Sequence, residues 1–192
     1  MKNTIKNVIE ASIATKSAIL NDDDMLSEIE HIARTMANTI IIGGKIVICG
    51  NGGSASDAMH FAGEIVGRFQ MERNPWPAIA LNGDVTSVTS IANDYGYEEV
   101  FARQTMAHLK QEDVFVGIST SGNSENVYRA IKVANKIGAY NVAFLGKDGG
   151  RIIDICNHSI VVPSNNTARI QESHIMIIHI LCELIEREIL QV

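Results

Sequence analysis

His60 and Glu64 stand four residues apart, one turn of a helix, so on a helix their side chains share a face. An imidazole and a carboxylate placed that way can hold one metal ion, or take and return a proton on one substrate. A hydrogen-bonded pair on a helix surface has the same spacing. Far along the chain a second set follows, Gln171, Glu172, His174 and His179, inside a strongly apolar segment. A histidine in such a segment is most often a core residue. Burial lowers its pKa and keeps it neutral near pH 7, a state suited to proton transfer. Gln171 and His179 are separated by about 12 Å of rise on one helix, so a straight helix brings both to one ion only with difficulty. Either Gln171 precedes the helix proper, or the site is assembled across chains.

Two turns have the composition of ligand loops. In Val114–Tyr128 (VFVGISTSGNSENVY) an apolar run is followed by Ser119, Thr120, Ser121, Gly122, Asn123 and Ser124, and a helix opens at Glu125. Strand, turn and helix N-terminus make an anion site, because the first helical turn has free N–H groups and partial positive charge. The hydroxyls add donors that can wrap a phosphate without a basic residue. A serine-capped helix after a strand is the plainer reading of the same stretch. The earlier turn, Gly50-Asn51-Gly52-Gly53-Ser54, is neither G-x-G-x-x-G nor a P-loop. Its glycines let a ligand approach the backbone, and Ser54 is the expected N-cap of the next helix.

The elements that must position these residues alternate. Strands are expected at Lys45–Gly50, Pro77–Leu81, Asp113–Ile118, Tyr140–Leu145 and Ser159–Val162. Continuous apolar runs such as KIVICG suit a parallel sheet covered on both faces. Helices are expected after Ser54 to about Gly67, over about Glu98–Leu109, Glu125–Ile137 and Arg169–Leu190, with a connection through Asn93-Asp94-Tyr95-Gly96. Two further helices precede the first strand, at about 3–20 and Met25–Ile42, the second capped by one of Asp22–Asp24 and stopped at Gly43-Gly44. The class is α/β: a doubly wound, five-stranded parallel sheet flanked by helices, with an N-terminal helical extension. One domain spans 1–192, with helices in 1–43 and the α/β core in 44–192. Ligands of such sheets sit beyond strand carboxyl ends, where strand order reverses, so both turns can face one crevice.

Composition narrows the partners. A net charge of −6 argues against nucleic acid, whose binders carry a basic stripe. Cys49, Cys156 and Cys182 are widely spaced with apolar neighbours and form no CxxC, as in reduced core thiols of a cytoplasmic protein. The N-terminus lacks a signal-peptide pattern, and the apolar runs are too short to span a bilayer. Helix in excess of what one sheet can cover predicts a symmetric tetramer, with the N-terminal helices and the last helix forming its centre.

Taken together, Cys49–Phe69, Ala92–Phe101, Gly117–Val127, Gly146–Gly150 and Ala168–His179 resemble the phosphoheptose (sedoheptulose 7-phosphate) isomerases of the SIS, or sugar isomerase, domain family. The resemblance implies a SIS-type, flavodoxin-like fold. It implies conversion of sedoheptulose 7-phosphate into D-glycero-D-manno-heptose 7-phosphate, a step towards the heptose of lipopolysaccharide core. It further implies a homotetramer with sites at subunit interfaces and one divalent metal per subunit, usually zinc. Carried onto matching positions, it assigns metal ligation to His60, Glu64, Gln171 and His179, with Glu64 and His179 as the acid/base pair. Substrate contacts fall on Asn51, Gly52, Gly53, Ser54, Glu64, Asn93, Asp94, Ser119, Thr120, Ser121, Ser124 and Gln171. Related non-catalytic adaptors bind the bacterial replication initiator protein and lack the glutamate and second histidine; retention of Glu64 and His179 favours the enzyme. A sugar-phosphate-sensing module of a regulator is a third reading, disfavoured because no DNA-binding segment is present. The chain departs from the commoner family pattern at Asn82–Val85 and at Ala168, where some members have aspartate.

Overall fold

The computed structural model describes residues 1–191. Five strands form one all-parallel sheet in the order β2-β1-β3-β4-β5: β1 (Ile46–Gly50), β2 (Ala78–Ala80), β3 (Val114–Ser119), β4 (Tyr140–Gly146) and β5 (His158–Val162). Every residue of β1 and β3 is buried, as expected for strands with helices on both faces. Alternate side chains enter two separate cores. Ile46, Ile48, Val114, Val116, Val142 and Phe144 belong to one, and Val47, Cys49, Phe115, Ala143 and Leu145 to the other.

The first core is closed by α2 (Asp23–Ile41), α3 (Gly53–Val66) and α7 (Thr167–Leu190). Asp22 caps α2 by accepting from Met25 N, and Ile29, Ile32, Ala33, Met36, Ala37 and Ile40 supply its buried stripe. Asn166 caps α7 by accepting from the N–H groups of Ala168 and Arg169. The second core is closed by α5 (Val100–His108) and α6 (Glu125–Ile137), through Val100, Phe101, Val127, Ala130, Ile131 and Ala134. The N-terminal α1 (Lys2–Leu20) buries only Thr15 and Ile19. Polar bonds tie it to α7: Ser12 Oγ donates to Glu172 Oε2 at 2.9 Å, and Arg169 Nη1 to Val8 O at 2.7 Å.

Two expectations need correction. The stretch through Asn93–Gly96 is not a simple connection, because α4 (Val85–Tyr95) precedes it, capped by Asp84; a 3-10 turn at Tyr97–Glu99 then leads into α5. And α3 starts two residues early: Gly52 is its N-cap, so Ser54 lies buried inside the first turn and caps nothing.

Sheet order reverses between β1 and β3. Their carboxyl ends are level, with Gly50 paired to Ile118. The glycine turn after β1 and the serine turn after β3 therefore flank the crevice where such folds bind ligands.

Candidate active site

The site starts from two helices on one face of the sheet. α3 leaves the glycine turn and carries His60 and Glu64; α7 crosses beside it and carries His179. His60 Nε2 lies 3.0 Å from His179 Nε2, 119 residues away in sequence, and 3.1 Å from Glu64 Oε1. One ligand atom from each of the three residues falls within 4.8 Å of the others. Phe69 stacks on the His179 imidazole, ring centroids 5.5 Å apart and planes at 26°.

This donor set suits a divalent metal. Two imidazole nitrogens facing each other and a carboxylate share too few protons to satisfy every lone pair as hydrogen bonds. The separations approach the edge of about 3.3 Å of a tetrahedron whose bonds are near 2.0–2.1 Å, the lengths of zinc sites. Asp57, one turn before His60, has a buried Oδ2 with no hydrogen-bond partner among the described residues. Burial pushes its carboxyl up to about 6, against a smaller lowering by His60. Sequence reading passed over Asp57; its place on the His60 side of α3 was the available signal.

Gln171 lies within α7, not ahead of it, which removes the first of the two geometries open from sequence. Its amide packs on the glycine turn: a Cβ added to Gly53 would stand 2.5 Å from Gln171 Nε2. A side chain at position 53 would have to displace that amide. His174, the other histidine of the segment, is a core residue. It is fully buried, with Nε2 2.9 Å from Leu145 O, and burial brings its pKa down to about 4, only partly offset by that bond.

Across the crevice, the serine turn is shaped by its own groups. Ser119 and Ser124 hydroxyls are 2.9 Å apart, and Asn123 Nδ2 donates to Ser121 O at 2.8 Å. Ser124 is the N-cap of α6 but makes no side-chain cap bond. Among the described residues no acceptor takes the N–H of Glu125 or Asn126, so these donors are available to an anion. Glu125 would oppose an anion, but Arg129, at 2.5 Å, and Arg151 pair with it and hold its carboxyl below the usual range. Thr120 and Ser121 are half-buried on the turn. Asn51, half-buried, and Gly52, exposed, lie on the opposite turn. Asn93 and Asp94 are exposed in the last turn of α4 and bonded to each other, Nδ2 to Oδ1 at 2.8 Å.

Comparison with known proteins places the chain in a family. A family model described as SIS domain matches residues 9–146. A phosphoheptose isomerase of Clostridium acetobutylicum is 46% identical over 189 residues, covering 98% of this chain and 96% of its own. One from Helicobacter pylori strain P12 is 49% identical over 174 residues, 91% of this chain and 89% of its own. The solved phosphoheptose isomerase of Francisella tularensis superposes with a TM-score of 0.92 at 37% identity, covering 96% of this chain and 97% of that one. The chain belongs to the phosphoheptose isomerase family of SIS domains. In this SIS domain the family match ends with β4, so α7, which brings His179 to His60, lies beyond the matched segment.

The spacing of His60 and Glu64 was readable in advance, as was the hydroxyl content of the serine turn. Sequence reading missed Asn126, Phe69, Arg73 and Glu186, which touch or brace these groups. Phe69 and Asn126 lie inside stretches that carry the resemblance, but no local spacing names the partner of any of the four; each meets it only through the fold.

Proposed function

We propose that this chain is a phosphoheptose isomerase that interconverts sedoheptulose 7-phosphate and D-glycero-D-manno-heptose 7-phosphate, in the cytoplasm, on the route to lipopolysaccharide heptose. The observation that carries the reading is the meeting of Glu64, His60 and His179 between α3 and α7, in a fold whose serine turn leads into an uncapped helix N-terminus rich in hydroxyls. Aldose–ketose isomerisation moves a proton between C1 and C2 through an enediol and needs two groups that exchange protons at neighbouring atoms. Glu64 takes the carbon-bound proton. His179 shuttles protons between the two oxygens, its ring orientation fixed by Phe69. Ser119, Thr120, Ser121 and Ser124, with the N–H groups of Glu125 and Asn126, hold the 7-phosphate.

His60, Glu64 and His179 would hold one divalent ion per subunit, zinc by donor type, with Gln171 as the fourth donor implied by the family resemblance. When bound, such an ion stabilises the negative charge of the enediolate oxygens. Asn51, Gly52, Gly53, Ser54, Asn93 and Asp94 remain the proposed sugar contacts. The exposed apolar stripe of α1, Ile5, Ile9 and Ile13, supports a homotetramer. No observation favours the initiator-binding adaptor.

The test is turnover of sedoheptulose 7-phosphate by purified protein before and after chelation. Activity abolished by chelator and restored by zinc is the expected result. Glu64→Gln should keep the assembly and abolish turnover. A wild-type protein that never turns over the substrate, with or without zinc, removes the proposal.

A further inference from the structure

Behind the site lies a buried ion pair. Arg73 Nε is 2.9 Å from Glu186 Oε1, and the side chains are 2% and 1% exposed. The Glu186 carboxylate also accepts the N–H groups of Phe69, Gln70 and Met71, each at 2.9 Å. Burial works to raise its pKa; the three N–H donors and the guanidinium outweigh that and hold it below the usual carboxylate range. The rest of the guanidinium points at α3. Arg73 Nη2 donates to Glu64 O at 2.9 Å and Nη1 to Ile65 O at 3.0 Å, while the group lies 3.7 Å over the Trp76 ring.

Helix geometry leaves the last carbonyls of α3 without intrahelical partners. Two of these, on Glu64 itself and its neighbour, are satisfied by a residue anchored to α7 through Glu186. Glu186 stands two turns beyond His179 on that helix. Phe69, whose N–H is fixed by Glu186, is the ring stacked on His179. A buried ion pair is poor evidence of added stability, since apolar replacements of equal volume often serve as well. What an apolar pair cannot do is bind two helix-end carbonyls and three loop N–H groups at once.

We propose that Arg73 and Glu186 are positioning residues that lock α3 to α7, so that Glu64 and His60 meet His179 at bonding distance with Phe69 holding the imidazole. Neither touches the reacting atoms. The kinetic part rests on the isomerase reading; the metal-binding part does not.

The experiment uses Glu186→Gln and Arg73→Lys in the full-length protein, with Co²⁺ as the spectroscopic probe. Lysine keeps the charge but cannot reach both carbonyls. In both variants KM for sedoheptulose 7-phosphate should stay within about threefold, while kcat falls and Co²⁺ binds more weakly, each by about 10–100-fold, the usual effect of losing a group that orients a ligand. A lower melting temperature with kcat and Co²⁺ affinity both within about twofold of wild type would mean a structural pair only, and overturns the proposal. If neither variant folds by circular dichroism, Phe69→Leu, which leaves the pair intact, decides. Co²⁺ affinity reduced about fivefold or more supports the lock, and unchanged affinity overturns it. A wild type that binds Co²⁺ but lacks isomerase activity defeats the functional reading alone, and the Co²⁺ titrations still test the lock.

Discussion

Asn51 and Asn126 exchange two hydrogen bonds, Asn51 Nδ2 donating to Asn126 Oδ1 at 2.8 Å and Asn126 Nδ2 donating back to Asn51 Oδ1 at 2.9 Å. The pair ties the glycine turn after β1 to the start of α6 after the serine turn, across the switch point of the sheet. Tyr97 Oη donates to the same Asn51 oxygen at 3.0 Å, and Asn126 Oδ1 accepts its neighbour's N–H from Val127. Both lone pairs of Asn51 Oδ1 are therefore taken within the chain. What its side chain does is hold the two walls of the crevice at a fixed distance.

Asn126→Asp should widen that distance. The substitution keeps the size and the Val127 bond but turns a donor into an acceptor facing Asn51 Oδ1. A buried acceptor left unpaired costs about 1–3 kcal/mol. The loss falls on substrate binding, because the phosphate turn is displaced while Glu64 and His179 are not, so KM should rise about tenfold with kcat nearly unchanged. Steady-state kinetics checks this; an unchanged KM would show that the turns hold their spacing without the pair.

Gly122 is the tightest point of the serine turn. It has φ +65°, and a Cβ there would stand 1.9 Å from Gly149 O. Left-handed backbone costs a non-glycine residue about 1–2 kcal/mol before any clash. Gly122→Ala must also push the Gly146–Gly150 turn away, breaking the bond from Ile152 N to Gly122 O. The melting temperature should fall and inorganic phosphate should lose its protective effect in thermal shift assays. Protection equal to wild type would place the phosphate elsewhere.

The buried strands and the helices with apolar stripes were legible because their patterns report burial directly. β1 and β3 are solid apolar runs, and α6 repeats Val127, Ala130, Ile131 and Ala134 on one face. α4 was not legible. Val85–Tyr95 is rich in β-branched and hydroxyl residues of modest helix propensity and buries none of them. The Asp84 cap, accepting from Thr86 N and Ser87 N, was its one local signal. Ser54 misled for the opposite reason: it has the chemistry of a cap, but Gly52 already provides the turn. In the site, His60 and Glu64 could be paired from spacing alone because one helix holds both. Glu186 and Arg73, 113 residues apart, have no pattern that a linear reading can use.

His174 predicts a pH dependence. Its folded pKa is lowered from 6.5 to about 4 by burial. Between those values the unfolded chain binds a proton that the folded chain does not, so stability falls as pH drops from 6.5 towards 4. The full effect is about 3 kcal/mol for this residue. Urea denaturation at steps across that range should give a slope that His174→Gln, which keeps a donor for Leu145 O, largely removes. An equal slope in the variant would assign the effect to other groups.

The last prediction concerns α1. α1 is bonded to α7 through Ser12, Arg169 and Glu172, yet Ile5, Val8, Ile9 and Ile13 beside those contacts remain 47–58% exposed. Isoleucines at successive turns make a continuous apolar strip, and each such side chain gains about 1.5–3 kcal/mol when buried. A second copy of the chain offers the matching strip, since a two-fold axis sets like against like. Sedimentation velocity of the wild type at micromolar concentration should give a tetramer, and Ile5→Lys with Ile9→Lys should give smaller species. Gln171 and His179 lie about two turns apart on one continuous helix, so a fourth metal donor from a neighbouring chain would be lost with the assembly. The dissociated variant should then bind zinc more weakly while keeping its helical content. A wild-type monomer would remove the assembly, and zinc affinity unchanged in the dissociated variant would confine the metal donors to one chain.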